Sequence, residues 1–480
     1  MTFCLLMGLS PMMAGALSND QAAVTVVGQS DFISAGSVVS QTGMGGPTGM
    51  AIDSQGNLWV TEYNQARILE YPAPVTTGEA ASLVIGQSSF NTAGCADTAS
   101  GLCEPISVAF DSSGNLWVAD AENNRVLEFA YPFSTGEAAS LVLGQSSFVT
   151  GAAATSATGM SRPYAVAFDS SGNLWVAESA NNRVIEFVKG SGFTTGEAAL
   201  LVLGQSGFNT AGPATTATGM DFPSGLAFDS SGNLWVADLY NNRVTEFTTP
   251  FSTNQAALLV LGQSSFTTST AATTATGFSQ PSGVAFDSSG NLWVAEENNN
   301  RVMGFFSSGG FSTGEAASIV LGQSSFTTST AATTATGMSY AWAVTADKSG
   351  NLWVADYTNN RVLEFGVATS APAPNPAPLP AVIPKQLTFH FNFPNAPTLV
   401  GKLVSAWGIG VMYNVPGYSV ATDINPYAIS ICYLPSQNGM QLSGFYSATP
   451  GNNSTEIFAS YYYSTVSSAQ GWPTEPTCTS

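Results

Sequence analysis

Charge is scarce in this chain. Of 480 residues, only 9% are Asp, Glu, Lys or Arg, where soluble domains carry about 25%. Basic residues are scarcer still, with 11 Lys plus Arg against 31 Asp plus Glu and a formal net charge of −20. That shortage excludes nucleic acid as a partner, because phosphate binding needs clustered Lys and Arg. There is one histidine, His390, which removes most routes to His-based triads or multi-His metal sites. No apolar run reaches the roughly 18 residues of a membrane span. What is plentiful is apolar surface: 44% of the residues are hydrophobic, enough for a sizeable core.

Residues 1–16 end in the apolar stretch FCLLMGLSPMMAGA, with small residues at Ala14 and Ala16 as at a signal-peptidase site, although a basic n-region is missing. We expect a cleaved signal peptide and a secreted or cell-surface protein. Cys4 would leave with it, and four cysteines remain. Cys95 and Cys103 lie eight apart in one loop, and Cys432 and Cys478 lie near the C-terminus. Neither pair has metal-ligand spacing or an added His, so two local disulfides in an exported protein are expected.

Self-comparison organises the rest. The segment FDSSGNLWVAD recurs six times, its first Asp at Asp53, Asp111, Asp169, Asp229, Asp287 and Asp347. Locked to it are Trp59, Trp117, Trp175, Trp235, Trp293 and Trp353. A long fixed period of 58 to 60 residues means a propeller, solenoid or array. Each unit reads as four strands, shown here for the second: VAF (108–110), LWVA (116–119), RVLEF (125–129) and SLVLGQ (140–145). The Asp-Ser-Ser-Gly-Asn loop supplies turn residues between the first two. The chain opens with a lone outer-type strand, VTVVGQSDF (24–32), and its sixth unit lacks one. Pairing the two closes a ring of six antiparallel blades, an all-β β-propeller. The six Trp are then packing between blades.

The pattern P-x-G-V-A-F-D-x-x-G-N-L-W-V-A-D-x-x-N-N-R-V resembles the NHL-repeat family of six-bladed propellers over residues 22–366. Where that family usually has Asn-His-Arg, five units have Asn-Asn-Arg and the first has Asn64-Gln65-Ala66-Arg67. After a Pro- and Ala-rich linker at 367–384, residues 385–480 read as a small β-rich domain, with Cys432 and Cys478 tying its tail and His390 as a structural residue.

Glu62, Asp120, Glu178, Asp238, Glu296 and Asp356 each precede by five residues one of Arg67, Arg125, Arg183, Arg243, Arg301 and Arg361. Six carboxylates in a ring could hold a cation. One Arg per acid instead favours six ion pairs holding turns, so neither a metal nor a cofactor is expected.

The blades are near copies, so their differences are informative. They fall on one rim, at the position after Pro just before each inner strand and in the turn between second and third strands. There they place Tyr63, Tyr164, Tyr240, Trp342 and Tyr357, aromatics suited to stacking on a sugar or anchoring a peptide. The expectation is a non-enzymatic binding or scaffold protein whose rim recognises a protein or glycan. Some related six-bladed propellers are metal-dependent lactonases and lyases. The resemblance therefore leaves open a hydrolase or lyase of the lactonase type, whose site needs unlike ligands from several blades.

Overall fold

Each Leu-Trp-Val-Ala-Asp or Leu-Trp-Val-Ala-Glu segment becomes a five-residue strand buried along its whole length, such as Leu116–Asp120. Such a strand faces a neighbouring sheet on both sides, which is why it reads as a continuous apolar run and does not alternate. The computed structural model describes residues 17–306 and 310–366, together with the backbone of four short strands further on. Residues 47–85, 105–143, 163–203, 223–261 and 281–321 each form a four-stranded antiparallel sheet whose strands follow chain order. The sixth sheet takes three strands from 341–365 and its outer strand from Thr25–Val27. Thr25 pairs with Glu364 and Val27 with Val362, so the two ends of the ring are sewn together by an antiparallel ladder. The protein is an all-β, six-bladed β-propeller, with the inner strands adjoining one another around a central channel.

The opening strand is Thr25–Val27, shorter than 24–32, the second strand of blade 2 runs one residue on to Asp120, and two further limits differ from the sequence expectation. The outer strand of blade 2 is Leu141–Leu143, not 140–145. Gly144 turns the chain with φ +81°, and a Cβ there would meet the Met160 side chain at 2.6 Å. Gln145 Nε2 then donates to the carbonyls of Asn124 and Ala152, both at 2.9 Å, so Gly-Gln is a turn and a clamp. The inner strand is longer than expected, Pro105–Phe110. Pro begins it because an inner strand has a free edge on the channel and its first residue owes no N–H to a ladder. The register slips between Pro105 and Ser107, and the same irregularity recurs in the other blades.

Between blades, Trp117 meets Phe168 and Phe193 of blade 3 edge-on, with ring centroids 5.7 and 5.0 Å apart. Its indole N–H reaches back 3.3 Å to Asp111 Oδ2 in its own hairpin loop. Asp111 Oδ1 meanwhile accepts the backbone N–H groups of Ser113 and Asn115, at 2.8 and 3.0 Å. One Asp thus shapes the turn and orients the Trp that joins the next blade.

Residues 373–480 form a second unit. In it, Thr388–Phe391 pairs with Leu399–Lys402 and Ser430–Leu434 pairs with Gly439–Ser443, both antiparallel. The leader at 1–16, the linker at 367–384, the Cys432–Cys478 bridge and the side chain of His390 lie outside the described residues. Among the described residues, no helix is long and apolar enough to cross a membrane.

Candidate functional site

The propeller's polar framework accounts for the repeated acids and arginines. Asp120 ends the second strand of blade 2 and faces Arg125, which opens the third. Arg125 Nε donates to Asp120 Oδ2 at 2.7 Å, Nη1 to the Phe148 carbonyl at 2.5 Å, and Nη2 to the carbonyls of Thr98 and Gly101 at 3.0 and 2.9 Å. Asp120 also accepts the Cys103 N–H at 2.6 Å and Asn123 Nδ2 at 2.9 Å. Glu62–Arg67, Glu178–Arg183, Asp238–Arg243, Glu296–Arg301 and Asp356–Arg361 repeat the ion pair, all fully buried. Burial pushes these carboxyls up, and the guanidinium charge, a backbone N–H and, in most blades, an Asn amide oppose it. The pairs therefore hold more than a turn. They fasten the long connection into each inner strand, and every carboxylate is engaged within its own blade.

The two Asn of the turn divide the remaining work. Asn123 binds Asp120, as above. Asn124, at φ +51°, reaches the next blade: its Oδ1 accepts the Arg162 N–H at 2.9 Å and its Nδ2 donates to the Gly151 carbonyl at 2.9 Å. Asn182, Asn242, Asn300 and Asn360 make the corresponding bond to Phe222, Gln280, Tyr340 and Gly46. Blade 1 has Ala66 at this place and offers no such oxygen.

These clamps set up the channel mouth. The residues they hold, together with Glu104, form a ring just before the inner strands, all with φ between 50° and 67°. Such a backbone is uncommon outside glycine, and here only Gly46 is one. Two residues further on, after the Pro (Ala341 in blade 6), each blade lines a channel of about 260 Å³ with Thr48, Ile106, Tyr164, Ser224, Ser282 and Trp342. Thr48, Ser224 and Ser282 donate their hydroxyls to carbonyls of the following blade, at 3.0, 3.3 and 2.6 Å. Ile106, Tyr164 and Trp342 have no hydroxyl in that place and fill the mouth instead.

The five aromatics singled out from sequence come together there. Trp342 lies 6.3 Å from Tyr164 with planes 29° apart, 5.0 Å from Tyr357 and 6.5 Å from Tyr63. Tyr240 joins through Phe222, each contact being 4.8 Å between centroids. Tyr164 is buried as the floor, Tyr63, Trp342 and Tyr357 are half-buried, and Tyr240 is exposed at the edge.

Sequence reasoning missed Glu104, Arg162, Phe222 and Tyr340 at the mouth, and it did not single out Glu297. Four of them precede the strand-opening residue, where Gly, Glu, Arg, Phe, Gln and Tyr alternate among copied blades. That variation was a signal available from sequence. Arg162 pairs with Glu122 at 2.8 Å and Glu104 at 3.3 Å, and its guanidinium lies 5.9 Å from the Tyr164 ring centroid. The Tyr63 hydroxyl donates to Glu104, and burial followed by that carboxylate pushes the phenol well up. Burial, partly offset by Arg162, pushes the Tyr164 phenol up to about 12. Opposite them, burial pushes the Glu297 carboxyl up to about 7, against the hydrogen bond it takes from Tyr340. Glu297 Oε1 is buried with no hydrogen-bond partner. Among the described residues, no three His, Cys, Asp or Glu side chains gather as a metal site. Cys95 and Cys103 are joined in a disulfide in the loop that leads to Glu104.

Several solved structures are similar to this chain. Virginiamycin B lyase from Staphylococcus aureus is 15% identical, with a TM-score of 0.37 over 67% of this chain and 85% of that one. A gluconolactonase from Xanthomonas campestris is 13% identical, with a TM-score of 0.43 over 73% and 98%. A Bacteroides thetaiotaomicron protein of unknown function is 15% identical, with a TM-score of 0.47 over 71% and 75%. At these identities none of them transfers an activity. No curated protein matches the sequence. The NHL repeat family matches residues 102–129, 220–247, 278–305 and 338–365, which lie in blades 2, 4, 5 and 6. The chain thus carries NHL repeats, four of them matched, within a six-bladed β-propeller.

Proposed function

We propose that this is an exported, non-enzymatic binding or scaffold protein whose channel mouth recognises a protein or a glycan. One observation carries the reading. Among blades that otherwise repeat, the variable side chains converge on one face and form a continuous aromatic surface around Trp342. Rigid aromatic area mixed with a few charged groups is what binding anchors use, on sugars and on peptides alike. The apolar leader and the Cys95–Cys103 disulfide support export, since disulfides persist in oxidising compartments. A metal-dependent hydrolase or lyase of the lactonase type is the competing reading. It would need unlike ligands converging on the channel, and among the described residues no three His, Cys, Asp or Glu side chains gather as such a set.

Binding of the full chain to glycan and protein arrays tests the proposal. A ligand captured by the parent protein is expected to be lost when Tyr164 and Trp342 are both changed to Ala. Unchanged capture removes the mouth as the binding face.

A further inference from the structure

The mouth is not electrostatically even. On the blade 2 and 3 side, Arg162 is already shared between Glu104 and Glu122, and Tyr63 donates to Glu104 as well. That side already pairs its acids with a cation, although Arg162 Nε is buried without a partner. On the other side Glu297 stands in the turn between the second and third strands of blade 5, only 3% exposed. Its backbone is fixed, with N–H to the Gln280 carbonyl at 3.0 Å and carbonyl to the Asn300 N–H at 3.2 Å. The Tyr340 hydroxyl interacts with its carboxyl, and Oε1 takes no hydrogen bond. Among the described residues it has no Lys or Arg partner, in contrast to the six buried acids of the framework.

The groups electrostatically coupled to this carboxyl are aromatic. The Glu297 charge helps raise the phenols of Tyr340, Tyr164 and Tyr357, and the Glu297 turn lies beside Tyr340, whose N–H is held by Asn300. Tyr340 and Tyr357 also pack on Trp342, at 5.7 and 5.0 Å between centroids. A buried carboxylate with an idle acceptor, beside several π faces, has a defined chemical complement. That complement is a cation with an N–H to donate and methylenes to lay on the rings. Arg162 over the Tyr164 ring shows the same faces receiving a guanidinium from within the chain. A quaternary ammonium would satisfy the rings and leave Oε1 idle, so the N–H matters.

We infer that the channel mouth takes an alkylammonium group, as on a lysine side chain or a small free amine, with Glu297 accepting its N–H and Tyr340, Tyr357 and Trp342 covering its methylenes. This deepens the binding reading above and rests on it.

Calorimetry on the full chain tests it with three probes: Nα-acetyl-lysinamide, its Nε-acetyl derivative and n-butylammonium. The lysine compound is expected to bind at least tenfold more tightly than the neutral derivative. Comparable binding of n-butylammonium would assign recognition to the ammonium alone, and markedly weaker binding to the ammonium within a lysine residue. Glu297→Gln is expected to abolish the charged-over-neutral preference. Equal affinity for the charged and neutral lysine compounds on the unmodified protein overturns the inference, whether or not the variant folds. So does an unchanged preference in a folded Glu297→Gln protein, or no binding by either amine. If a neutral glycan or peptide binds and is lost in the Tyr164 and Trp342 double variant, the mouth is still a binding face and only the ammonium assignment fails. If nothing binds the mouth, both fail.

Discussion

Tyr164 of blade 3 and Trp342 of blade 6 stand half a ring apart in sequence, yet their side chains meet across the channel, 6.3 Å between centroids. They occupy the same position in their blades, where Thr48, Ser224 and Ser282 instead reach a hydroxyl to the neighbouring blade. The mouth is thus closed by side chains that the repeat itself does not require. Trp342→Ser should therefore leave the propeller folded and restore an inter-blade hydroxyl. Thermal unfolding is expected to drop less for this variant than for Trp117→Ala, which opens a core cavity at a cost of about 3–5 kcal/mol. A larger loss at Trp342 would make it a framework residue.

The framework arginines are expected to be far less tolerant. Arg125→Lys keeps the charge, but an ammonium cannot reach Asp120 and the carbonyls of Phe148, Thr98 and Gly101 at once. Arg125→Met leaves the Asp120 carboxylate buried without its cation and should cost about 3–5 kcal/mol. Urea unfolding checks both, and a loss below about 1 kcal/mol for Arg125→Met would contradict the arrangement described here.

Two tryptophans in the same place differ in one bond. Trp117 Nε1 donates to Asp111, whereas Trp353 Nε1 is buried without a partner. Replacing each with Phe removes similar apolar area but only one hydrogen bond. Trp117→Phe should be the more destabilising by about 1 kcal/mol in denaturant titration. Blade 1 offers the reverse case. Ala66 sits at φ +51°, where five other blades use Asn. Ala66→Asn should raise the melting temperature, because Asn tolerates that backbone and adds a clamp to the next blade.

The Glu297 carboxyl is pushed up to about 7 by burial, against about 4.3 in an unfolded chain. The folded state then holds this proton more tightly than the unfolded state does. Its contribution is most favourable below the unfolded value and declines as pH rises through the folded one. Glu297→Gln should therefore gain on the parent protein between pH 4 and pH 8, by up to about 3 kcal/mol. Denaturant titrations at the two pH values give the comparison. A difference independent of pH would contradict the buried, unpaired state of this carboxyl.

Much of this was legible in the sequence because the blades are copies. The Trp, the Asp-Ser-Ser-Gly-Asn loop and each acid with its Arg announce themselves by period, and the offset outer strand announces closure. The five aromatics were found by subtraction, as differences among repeats. Glu104, Arg162, Phe222 and Tyr340 escaped because the residue before a strand reads as loop. Only a left-handed backbone, held at Arg162, Phe222 and Tyr340 by the previous blade's Asn, turns it toward the mouth. Glu297 stood among the variable turn residues, but what distinguishes it is the lack of a cationic partner, and sequence spacing reveals partners, not their absence. The Gly-Gln that ends each outer strand was misread as strand because Gly144 must pass under Met160, a contact set by the fold.

The central claim is that the variable mouth is the ligand face. The most direct measurement is the dissociation constant of an array-selected ligand for three proteins: the parent, the Tyr164→Ala and Trp342→Ala double variant, and a Leu200→Ser and Leu258→Ser double variant. The last alters exposed leucines on the outer edge, 67% and 66% accessible, where other blades carry Ser. The mouth variant should bind at least tenfold more weakly, and the outer variant as the parent does. Weakening confined to the outer variant would contradict the account.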